Sequence, residues 1–533
     1  MDNYSYRPHY HAHVSSGWCN DPNGMIMYGG RAHLFFQHYP YKAEWGTMHW
    51  GHFSTEDFIH WKEEEIALRP DEEYEDICGC CSGNAVEKDG KLWLMYTAAQ
   101  PDRQRQCLAY SQDGVHFTKL DNNPILTADM LDCEVAGRDF RDPKVFMQGG
   151  IYYCLTGTRI IDPDDPMYLT KDGYLIKNIS GSFGSEHTMV HGNDTRLVSG
   201  AQARAMSSQP VLGGDYVASG YGNMILFSSK DLLNWEYKGK LLYRQEGFDE
   251  QYFTLDGVYE CPDYIRLDGH DIILASPQNL PQMDFEYENL HSTLYLEGSL
   301  SYDTGRFVIN SVHEVDAGFD FYAAQCWHTD DGRVIMLAWK EMWDRSYPSR
   351  DEGWVGTYTL PRELTFKDGH LYQQPVREIE QFRRNEATVS DIELSDSQIM
   401  TEELSGSCCE LLVRINPGNA KKAGVKLFCG GEHETLVYYD AKLKAVVFDR
   451  SRSGIPITGR DEDLNVRHCF IEAQGELELH IFLDVSSVEV FINNGKYAMS
   501  GNVYPDADDI HTGFFSEGTG AVLIEAKKYD IIV

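Results

Sequence analysis

Residues 13–24 read His-Val-Ser-Ser-Gly-Trp-Cys-Asn-Asp-Pro-Asn-Gly and place two turn-forming pairs, Asp-Pro and Asn-Gly, close behind a tryptophan. Taken alone, the string at residues 21–24 is typical of a hairpin turn. Two further acidic motifs built around a proline follow it in the chain, Arg141-Asp142-Pro143 and Glu260-Cys261-Pro262-Asp263. The carboxylates of all three stand at comparable strand-start positions, which favours one converging acidic site over three unrelated turns.

The spacing of these motifs indicates a repeated unit of about 60 residues. Ser82 follows Asp21 by 61 residues and precedes Asp142 by 60. Asp320 follows Glu260 by 60 residues, whereas the interval from Asp142 to Glu260 is 118 residues and breaks the rhythm. About 60 residues suit one four-stranded blade with its loops, and several such blades in a ring make a β-propeller. Five starts therefore predict five blades.

Short β-runs between Gly, Asp and Asn turns fill the chain up to about residue 380, with almost no sustained helical period. A second repeat recurs at residues 55–61, 111–117 and 229–235, where an Asp turn is followed four residues later by an aromatic residue. Such an element would close the outer edge of a blade. The fold class is therefore all-β, and the clearest strand candidates are Ala32–Phe36, Leu92–Tyr96, Ile151–Leu155, Met224–Ser228 and Val334–Trp339.

Composition limits the partners that this chain can have. A formal charge of −37 over 533 residues argues against nucleic acid and against an anionic membrane surface, although a few local cations could still meet a small phosphorylated sugar. No apolar run approaches the roughly 20 residues of a membrane span, and the first residues lack a secretory signal. Thirteen scattered cysteines fit reduced thiols in a cytosol, so we expect a cytoplasmic protein.

The three acidic motifs resemble, in the same order, those of glycoside hydrolase family 32, the invertases and fructan hydrolases. Residues 18–24 resemble that family's Trp-x-Asn-Asp-Pro-Asn-Gly signature, and the other two resemble its Arg-Asp-Pro and Glu-Cys-Pro motifs. The resemblance implies a five-bladed β-propeller followed by a C-terminal β-sandwich. We place the propeller at residues 1–384 and the sandwich at residues 385–533, with the charged, polar stretch 380–395 as their boundary.

The same resemblance implies a role for each acidic residue. Asp21 is the expected nucleophile, Glu260 the general acid/base, and Asp142 a transition-state stabiliser. Retaining cleavage of a glycosidic bond needs two carboxyl groups roughly 5–5.5 Å apart, one ionised and one protonated. Taken singly, Asp142 beside Arg141 could be a surface ion pair and Glu260 an ordinary strand start. The residues expected to bind the substrate are Asn20, Gln37, Trp45, Ser82 and Arg141.

The chain departs from the family pattern at two positions near the site. Cys81 stands where an aromatic residue is usual, and Cys19 stands where the signature often has Met or Leu. The first change removes a ring from the expected fructose pocket, and neither removes a catalytic group. Trp339, Trp343 and Trp354 could shelter the site, with core packing an equally good interpretation.

The resemblance implies a retaining β-fructofuranosidase that hydrolyses the terminal β-D-fructofuranosyl bond of sucrose or sucrose 6-phosphate through a fructosyl-enzyme. An exo-acting fructan or fructo-oligosaccharide hydrolase is the alternative, and a fructosyltransferase would use the same residues. A non-catalytic fructan-binding protein is disfavoured by the intact carboxylates. The chemistry needs only carboxylates and water, so we expect no cofactor and no metal; the cysteines at residues 78–81 lack a second ligand pair at zinc-finger spacing.

The long interval in the third blade predicts an insertion at about 160–215, between the second and third strands of that blade. A second strand returns to the face at which the first strand begins, so we expect the insertion to lie beside the pocket mouth. His187, His191, Arg196 and Arg204 could then reach a leaving group or a neighbouring subunit. The insertion would narrow the site toward short substrates or build a homo-oligomer contact, and a mobile surface loop is the alternative.

Overall fold

Five antiparallel sheets follow one another along the first two thirds of the chain and form the blades of a β-propeller. The computed structural model describes residues 5–76, 78–100, 103–131, 135–161, 167–169, 175–178, 186–191, 194–199, 220–243, 245, 258–278, 280–461, 463–471 and 475–533. Blade I contains β1 (Gly17–Tyr28), β2 (Arg31–Tyr39), β3 (His49–Thr55) and β4 (Lys62–Glu63). Blade II contains β5 (Gly79–Lys88), β6 (Lys91–Ala99), β7 (Gln104–Ser111) and β8 (Thr118–Lys119).

The third blade is interrupted between its second and third strands. It starts with β9 (Val135–Gln148) and β10 (Ile151–Ile161). A separate four-stranded sheet follows, made of β11 (Met167–Leu169), β12 (Leu175–Asn178), β13 (Glu186–His191) and β14 (Asp194–Ser199). Blade III then resumes with β15 (Gly220–Ser229) and β16 (Trp235–Lys240).

Blades IV and V complete the ring. Blade IV contains β17 (Tyr259–Leu267), β18 (His270–Pro277), β19 (Leu294–Leu300) and β20 (Phe307–Glu314). Blade V contains β21 (Tyr322–His328), β22 (Val334–Trp339), β25 (Arg362–Lys367) and β26 (His370–Pro375), with β23 (Arg345–Ser346) and β24 (Trp354–Val355) between its second and third strands. β24 crosses to blade I, where Trp354 and Val355 pair in parallel with Gly17 and Trp18 of β1. This pairing closes the ring.

Local turn chemistry explains why the first two strands of blades I to IV fold back on each other. Each pair is joined by two residues with positive φ, which a primed hairpin turn requires and which Gly and Asp tolerate well. The joining pairs are Gly29-Gly30, Asp89-Gly90, Gly149-Gly150 and Asp268-Gly269. The sequence therefore sets these four hairpins locally.

The second sequence repeat forms one recurring turn at the ends of β3, β7 and β15. Asp57 Oδ1 accepts hydrogen bonds from the backbone N–H groups two and three residues later, at 3.0 and 2.8 Å, and Asp113 and Asp231 do the same. The residue after each Asp has a positive φ, 62° at Phe58 and 69° at Leu232. The turn redirects the chain from the third strand of each of these blades toward its outer, fourth strand.

Two six-stranded sheets form the C-terminal β-sandwich, in the orders β27-β39-β29-β35-β36-β37 and β28-β38-β30-β31-β32-β34. The strands are β27 (Arg383–Leu394), β28 (Gln398–Thr401), β29 (Cys408–Asn416), β30 (Lys422–Gly430), β31 (His433–Asp440), β32 (Ala445–Arg452), β33 (Thr458–Gly459), β34 (Val466–Phe470), β35 (Leu477–Asp484), β36 (Ser487–Ile492), β37 (Tyr497–Asn502), β38 (His511–Glu517) and β39 (Ala521–Ile531). Short 3-10 helices span Glu73–Glu75, Ala128–Met130, Pro348–Glu352, Arg377–Phe382 and Glu402–Leu404.

The predicted fold class is confirmed: the chain is all-β, with a five-bladed propeller and a C-terminal sandwich. The five strand candidates named above lie in β2, β6, β10, β15 and β22. The division after residue 384 stays a prediction, with β26 ending at Pro375 and β27 beginning at Arg383. Each of the twelve cysteines in the described part of the chain is a free thiol. Among the described residues, no helix has the length and apolar character needed to cross a membrane.

A fully buried ionic network joins the propeller to the sandwich. Arg362 of β25 lies 3.0 Å from Asp316 and 2.7 Å from Glu489 of β36. His11 donates to or accepts from Glu489 at 2.9 Å and Asp484 at 2.7 Å. Burial alone would raise the pKa of Glu489, but Arg362 and His11 outweigh burial and lower that pKa to about 2. The network therefore fixes the sandwich against the last blade with charged groups that no water reaches.

Arg362→Leu should lower the free energy of unfolding by about 3–5 kcal/mol, because it leaves Glu489 and Asp316 buried without their cation. Urea unfolding followed by tryptophan fluorescence measures this change. Arg414→Ala is the matched control, since Arg414 pairs with Glu476 where the two side chains are 44% and 46% exposed. It should leave the free energy of unfolding close to the wild-type value, because an exposed ion pair contributes little. Equal losses in the two variants would contradict the assignment.

Candidate active site

The first strand of every blade carries a β-bulge, one extra residue relative to its partner strand. In blade I, for example, Cys19 pairs with His38 and Pro22 pairs with Phe36. The chain therefore advances three residues along β1 while it advances two along β2. A bulge bends the strand and turns a side chain away from the regular alternation. The residues inside the five bulges are Asn20 and Asp21, Ser82, Asp142 and Pro143, Cys261 and Pro262, and Ala323 and Ala324.

Three of the bulges contain a non-glycine residue in the left-handed region, with φ of 60° at Asp142, 46° at Cys261 and 55° at Ala323. This backbone conformation is unfavourable for side chains other than Asn and Asp and persists only when the surroundings hold it. Here the N–H of each residue is bound by a side chain of the preceding blade. Asp142 donates to Thr97 Oγ1 at 2.9 Å, Cys261 to Asp142 Oδ2 at 3.0 Å, and Ala323 to Ser276 Oγ at 3.0 Å.

Asp21 is 6% exposed, and the hydrogen bonds to its carboxylate converge on one oxygen. Oδ2 accepts from Gln37 Nε2 at 2.7 Å, from Ser82 Oγ at 2.6 Å and from the Cys261 thiol at 3.3 Å. Oδ1 accepts no hydrogen bond from the part of the chain that the structure describes. Burial raises the pKa of Asp21, the Ser82 hydroxyl opposes this rise, and nearby Glu260 adds to it. The arrangement fixes the orientation of the carboxylate through Oδ2, whereas Oδ1 is buried without a hydrogen-bond partner among the described residues.

Glu260 lies between a cation and a phenol. Arg141 contacts Glu260 Oε1 through Nη2 at 2.8 Å and Nε at 3.2 Å. Tyr322 donates to Glu260 Oε2 at 2.5 Å. The side chain of Glu260 is 17% exposed, so it can meet a ligand that enters the pocket.

Asp142 connects the other two carboxylates electrostatically. Its Oδ2 lies 3.8 Å from Arg141 Nε, on the same guanidinium that binds Glu260. Burial first, and then the nearby Glu260 and Asp21, raise the pKa of Asp142 to about 7 against the lowering effect of Arg141. Three carboxylates in one partly dry pocket cannot all ionise freely, which is the electrostatic condition for separating an acid from a base.

The predicted substrate-binding residues occupy different environments. Gln37 and Ser82 touch Asp21, and Arg141 touches Glu260, as described above. Asn20 is fully buried, and its Oδ1 accepts a hydrogen bond from Trp18 Nε1 at 2.8 Å. Trp45 lies in the connection between β2 and β3 and is 49% exposed. The roles of these residues toward a substrate stay predictions.

The tryptophans proposed as shelter belong mainly to the core. Trp339 and Trp354 are buried in the largest apolar cluster, and Trp354 lies on the strand that closes the ring. Trp343 is partly buried and packs against Trp339 at 5.0 Å and Trp18 at 6.1 Å between ring centroids. Core packing is therefore the better description of Trp339 and Trp354.

Sequence reasoning assigned no role to several residues that contact the three carboxylates or the groups that hold them. Cys261 stands inside the Glu-Cys-Pro motif, and Tyr322 stands two residues after Asp320, the start of the fifth repeat, but neither pattern says what these side chains contact. Thr97 lies in the middle of β6 with no local signal. Asp139, which binds Arg141 Nη1 at 3.1 Å, is likewise an unremarked strand residue. The contacts of Tyr322, Cys261 and Thr97 join different blades, whereas Asp139 and Arg141 lie on the same strand, β9.

Comparison with known families agrees with this geometry. Residues 11–178 and 211–375 match the N-terminal domain of glycosyl hydrolases family 32, and residues 378–530 match the C-terminal domain of that family. The chain belongs to glycoside hydrolase family 32 and is a glycoside hydrolase, which confirms the resemblance found in the sequence. Residues 179–210, inside the predicted insertion, lie outside the match.

Individual relatives extend over almost the whole chain. A sucrose-6-phosphate hydrolase of Zymomonas mobilis is 32% identical, over 98% of this chain and 92% of that protein. A raffinose invertase of Escherichia coli is also 32% identical, over 98% of this chain and 95% of its own. The solved structure of a sucrose-6-phosphate hydrolase from Lactobacillus gasseri matches with a TM-score of 0.76 at 26% identity, over 99% of this chain and 93% of that one.

Asp142→Asn should make the fold more stable at alkaline pH. Because the folded pKa of Asp142, about 7, lies above the ordinary value of 3.8, ionisation of this group opposes folding as pH rises between those values. The amide removes that ionisation, keeps an oxygen for the Cys261 N–H and tolerates the left-handed backbone. We expect the variant to gain on the order of 2 kcal/mol over the wild type between pH 4 and pH 8.

Urea unfolding at a series of pH values measures this gain. A stability difference that stays constant from pH 4 to pH 8 would contradict the raised pKa of Asp142.

Proposed function

We propose that this enzyme is a retaining β-fructofuranosidase that hydrolyses sucrose and sucrose 6-phosphate through a fructosyl-enzyme. The observation that carries the proposal is that Asp21 and Glu260 lie close enough for Glu260 to raise the pKa of Asp21. Asp21 is held through Oδ2 with Oδ1 free of described partners, and Glu260 is held by Arg141 and Tyr322. The names of the relatives, sucrose-6-phosphate hydrolase and raffinose invertase, support the same substrates.

In the first step the Asp21 carboxylate attacks the anomeric carbon of the fructosyl unit while Glu260, protonated, gives its proton to the leaving glycosidic oxygen. Gln37 and Ser82 keep the attacking carboxylate in one orientation through their hydrogen bonds to Oδ2. In the second step Glu260, now ionised, removes a proton from water, and the water attacks the same carbon and releases Asp21. Asp142 lies beside both groups and would bind fructose hydroxyls as positive charge develops on the ring.

The alternative, an exo-acting fructan hydrolase, would use the same residues but would need more space in the site for a longer leaving group. An exo-inulinase structure from Aspergillus awamori matches at 22% identity, which speaks for the fold alone. The relatives named after short substrates therefore favour sucrose and its phosphate. A kcat/KM panel over sucrose, sucrose 6-phosphate, 1-kestose, inulin and levan separates the two, with at least a tenfold preference for the disaccharides expected.

The predicted place of the insertion beside the pocket is supported at its two ends. Ile161 pairs with Gly220, so the insertion leaves and re-enters the blade at one point. Gly157 of β10 pairs with Arg141 of the site. Ile161, where the insertion begins, lies only four residues after Gly157, at the end of β10 opposite the β9–β10 hairpin. The side chains of His187, His191, Arg196 and Arg204 lie outside the described residues. Control of chain length and a homo-oligomer contact stay predictions, as does the cytoplasmic location.

Asp21→Asn should abolish sucrose hydrolysis while the fold is kept, because the amide cannot attack the anomeric carbon. Release of reducing sugar measures turnover, and circular dichroism checks the fold. We expect less than about one thousandth of the wild-type kcat. A variant that keeps more than a few per cent of kcat would show that Asp21 is not the nucleophile.

Glu260→Gln should also be severely impaired on sucrose but should release an activated leaving group faster, since such a group departs without protonation. A p-nitrophenyl β-D-fructofuranoside tests this through the rate of phenol release. Relative to the wild type, the first-step rate of the variant should fall at least tenfold less on the aryl substrate than on sucrose. Equal damage on both substrates would count against an acid role for Glu260.

A further inference from the structure

Tyr322 places a single phenolic hydrogen between two acceptors of blade IV. Its oxygen lies 2.5 Å from Glu260 Oε2 and 3.1 Å from the backbone carbonyl oxygen of Ser276. Glu260 and Ser276 are direct partners across β17 and β18. A tyrosine has one O–H donor, so it serves one of these acceptors at a time. The side chain is 1% exposed, and bulk water therefore does not compete for it.

The bulge of blade V fixes the position of this phenol. The residue after Tyr322 is Ala323, whose left-handed backbone is held by its N–H bond to Ser276 Oγ. Thr293 Oγ1 lies 2.9 Å from the same hydroxyl and orients it. One residue of blade IV thus holds both the phenol and the bulge that carries it. Burial, with Glu260 next in importance, raises the pKa of Tyr322 well above its usual range, so the phenol stays neutral during turnover.

The two oxygens of Glu260 are not equivalent. Oε1 receives two charged N–H groups from Arg141, which makes it a poor place for a proton. Oε2 has the neutral phenol as its partner and is the oxygen that can be protonated. When Oε2 carries a proton, the Tyr322 hydrogen must point elsewhere, and the carbonyl of Ser276 is within reach.

We infer that Tyr322 is a positioning residue whose hydroxyl alternates between Glu260 Oε2 and the Ser276 carbonyl, and that Oε2 is the oxygen that delivers and recovers the proton. This inference rests on the proposed function. In the first step the proton on Oε2 passes to the leaving oxygen, and the phenol turns to donate to the ionised carboxylate. In the second step Oε2 takes a proton from water and the phenol turns back. Tyr322 gains and loses no proton in the cycle.

Other titratable groups also face Glu260, and each is held by its own contacts. They are Arg141 and Asp142 of β9, Asp21 of β1, Cys261 of β17 and His291 from the loop before β19. Burial lowers the pKa of His291 and raises that of Cys261. These two groups therefore stay neutral near pH 7, and the pH response of the Tyr322 variants can be attributed to the carboxylates.

Tyr322→Phe should lower kcat on sucrose by about 10- to 100-fold, with KM changed less than about threefold, because a hydrogen bond to a charged group is lost in both steps. The ionised form of Glu260 loses a donor, so the alkaline limb of the kcat/KM profile should move to higher pH. Tyr264→Phe is the matched control. This variant removes a different phenol, in blade IV, that also donates to a carboxylate, Asp271 Oδ1, at 2.8 Å. The kcat and the pH profile of this variant should stay at wild-type values.

An aryl β-D-fructofuranoside shows whether the Tyr322 hydroxyl assists Glu260 in both steps or only when Glu260 acts as an acid. Its first step needs no proton, whereas hydrolysis of the fructosyl-enzyme still needs Glu260 as base. Tyr322→Phe should therefore show a burst of phenol release followed by a slow steady rate. Replacing Tyr322 by 3-fluorotyrosine keeps the shape and strengthens the donor, so the alkaline limb should then move to lower pH.

A Tyr322→Phe variant with wild-type kcat and pH profile, or the same changes in Tyr264→Phe, would overturn the inference. An absent burst together with a normal steady rate would do so as well. If Tyr322→Phe fails to fold, the direction of the shift with 3-fluorotyrosine decides alone. Activity of Asp21→Asn would instead overturn the proposed function, so the two failures are distinguishable.

Discussion

The hydrogen bond from a bulge N–H to a side chain of the preceding blade is the interaction on which the site depends. Asn23 of blade I accepts from Gly83 of blade II at 3.2 Å, and Thr97, Asp142 and Ser276 continue the series around the ring. A bulge frees one N–H from its ladder, and a buried N–H without a partner costs about 1–3 kcal/mol. Blades II to V therefore each need the preceding blade to form their own bulge, and the bulges place the carboxylates.

Asp142 shows that structure and chemistry use the same group. Its Oδ2 accepts the Cys261 N–H that holds the next bulge, and it also faces Glu260 and Asp21. Its raised pKa means that the folded chain carries a penalty for ionising it, which a purely structural acceptor such as Thr97 would avoid. Sites that gather like charges in a low dielectric are where catalytic pKa values are separated, and they are destabilising for the same reason.

The sandwich stabilises the propeller from the far side of the last blade. Arg345 contacts Asp320 at 2.9 Å, directly before the strand that carries Tyr322, and Arg450 of the sandwich contacts the same carboxylate at 2.7 Å. With the Arg362 network, these buried pairs fix the start of β21 against the C-terminal domain. The position of the phenol next to Glu260 thus depends on residues more than a hundred positions away in the sequence.

The sequence alone determined the repeat, the hairpins and the acidic motifs, because each depends on residues that are close together. Asp89-Gly90 makes its turn from its own backbone preferences, and Asp57 caps residues only two and three positions away. Residues 480–491 show the limit of local patterns: β35 ends at Asp484 and β36 begins at Ser487, with Val485 at a φ of 48°. That turn is held by His11, which binds Asp484 across the domain interface. The contacts of Thr97, Cys261 and Tyr322 were likewise decided by tertiary structure, since they join blades whose approach no local pattern encodes.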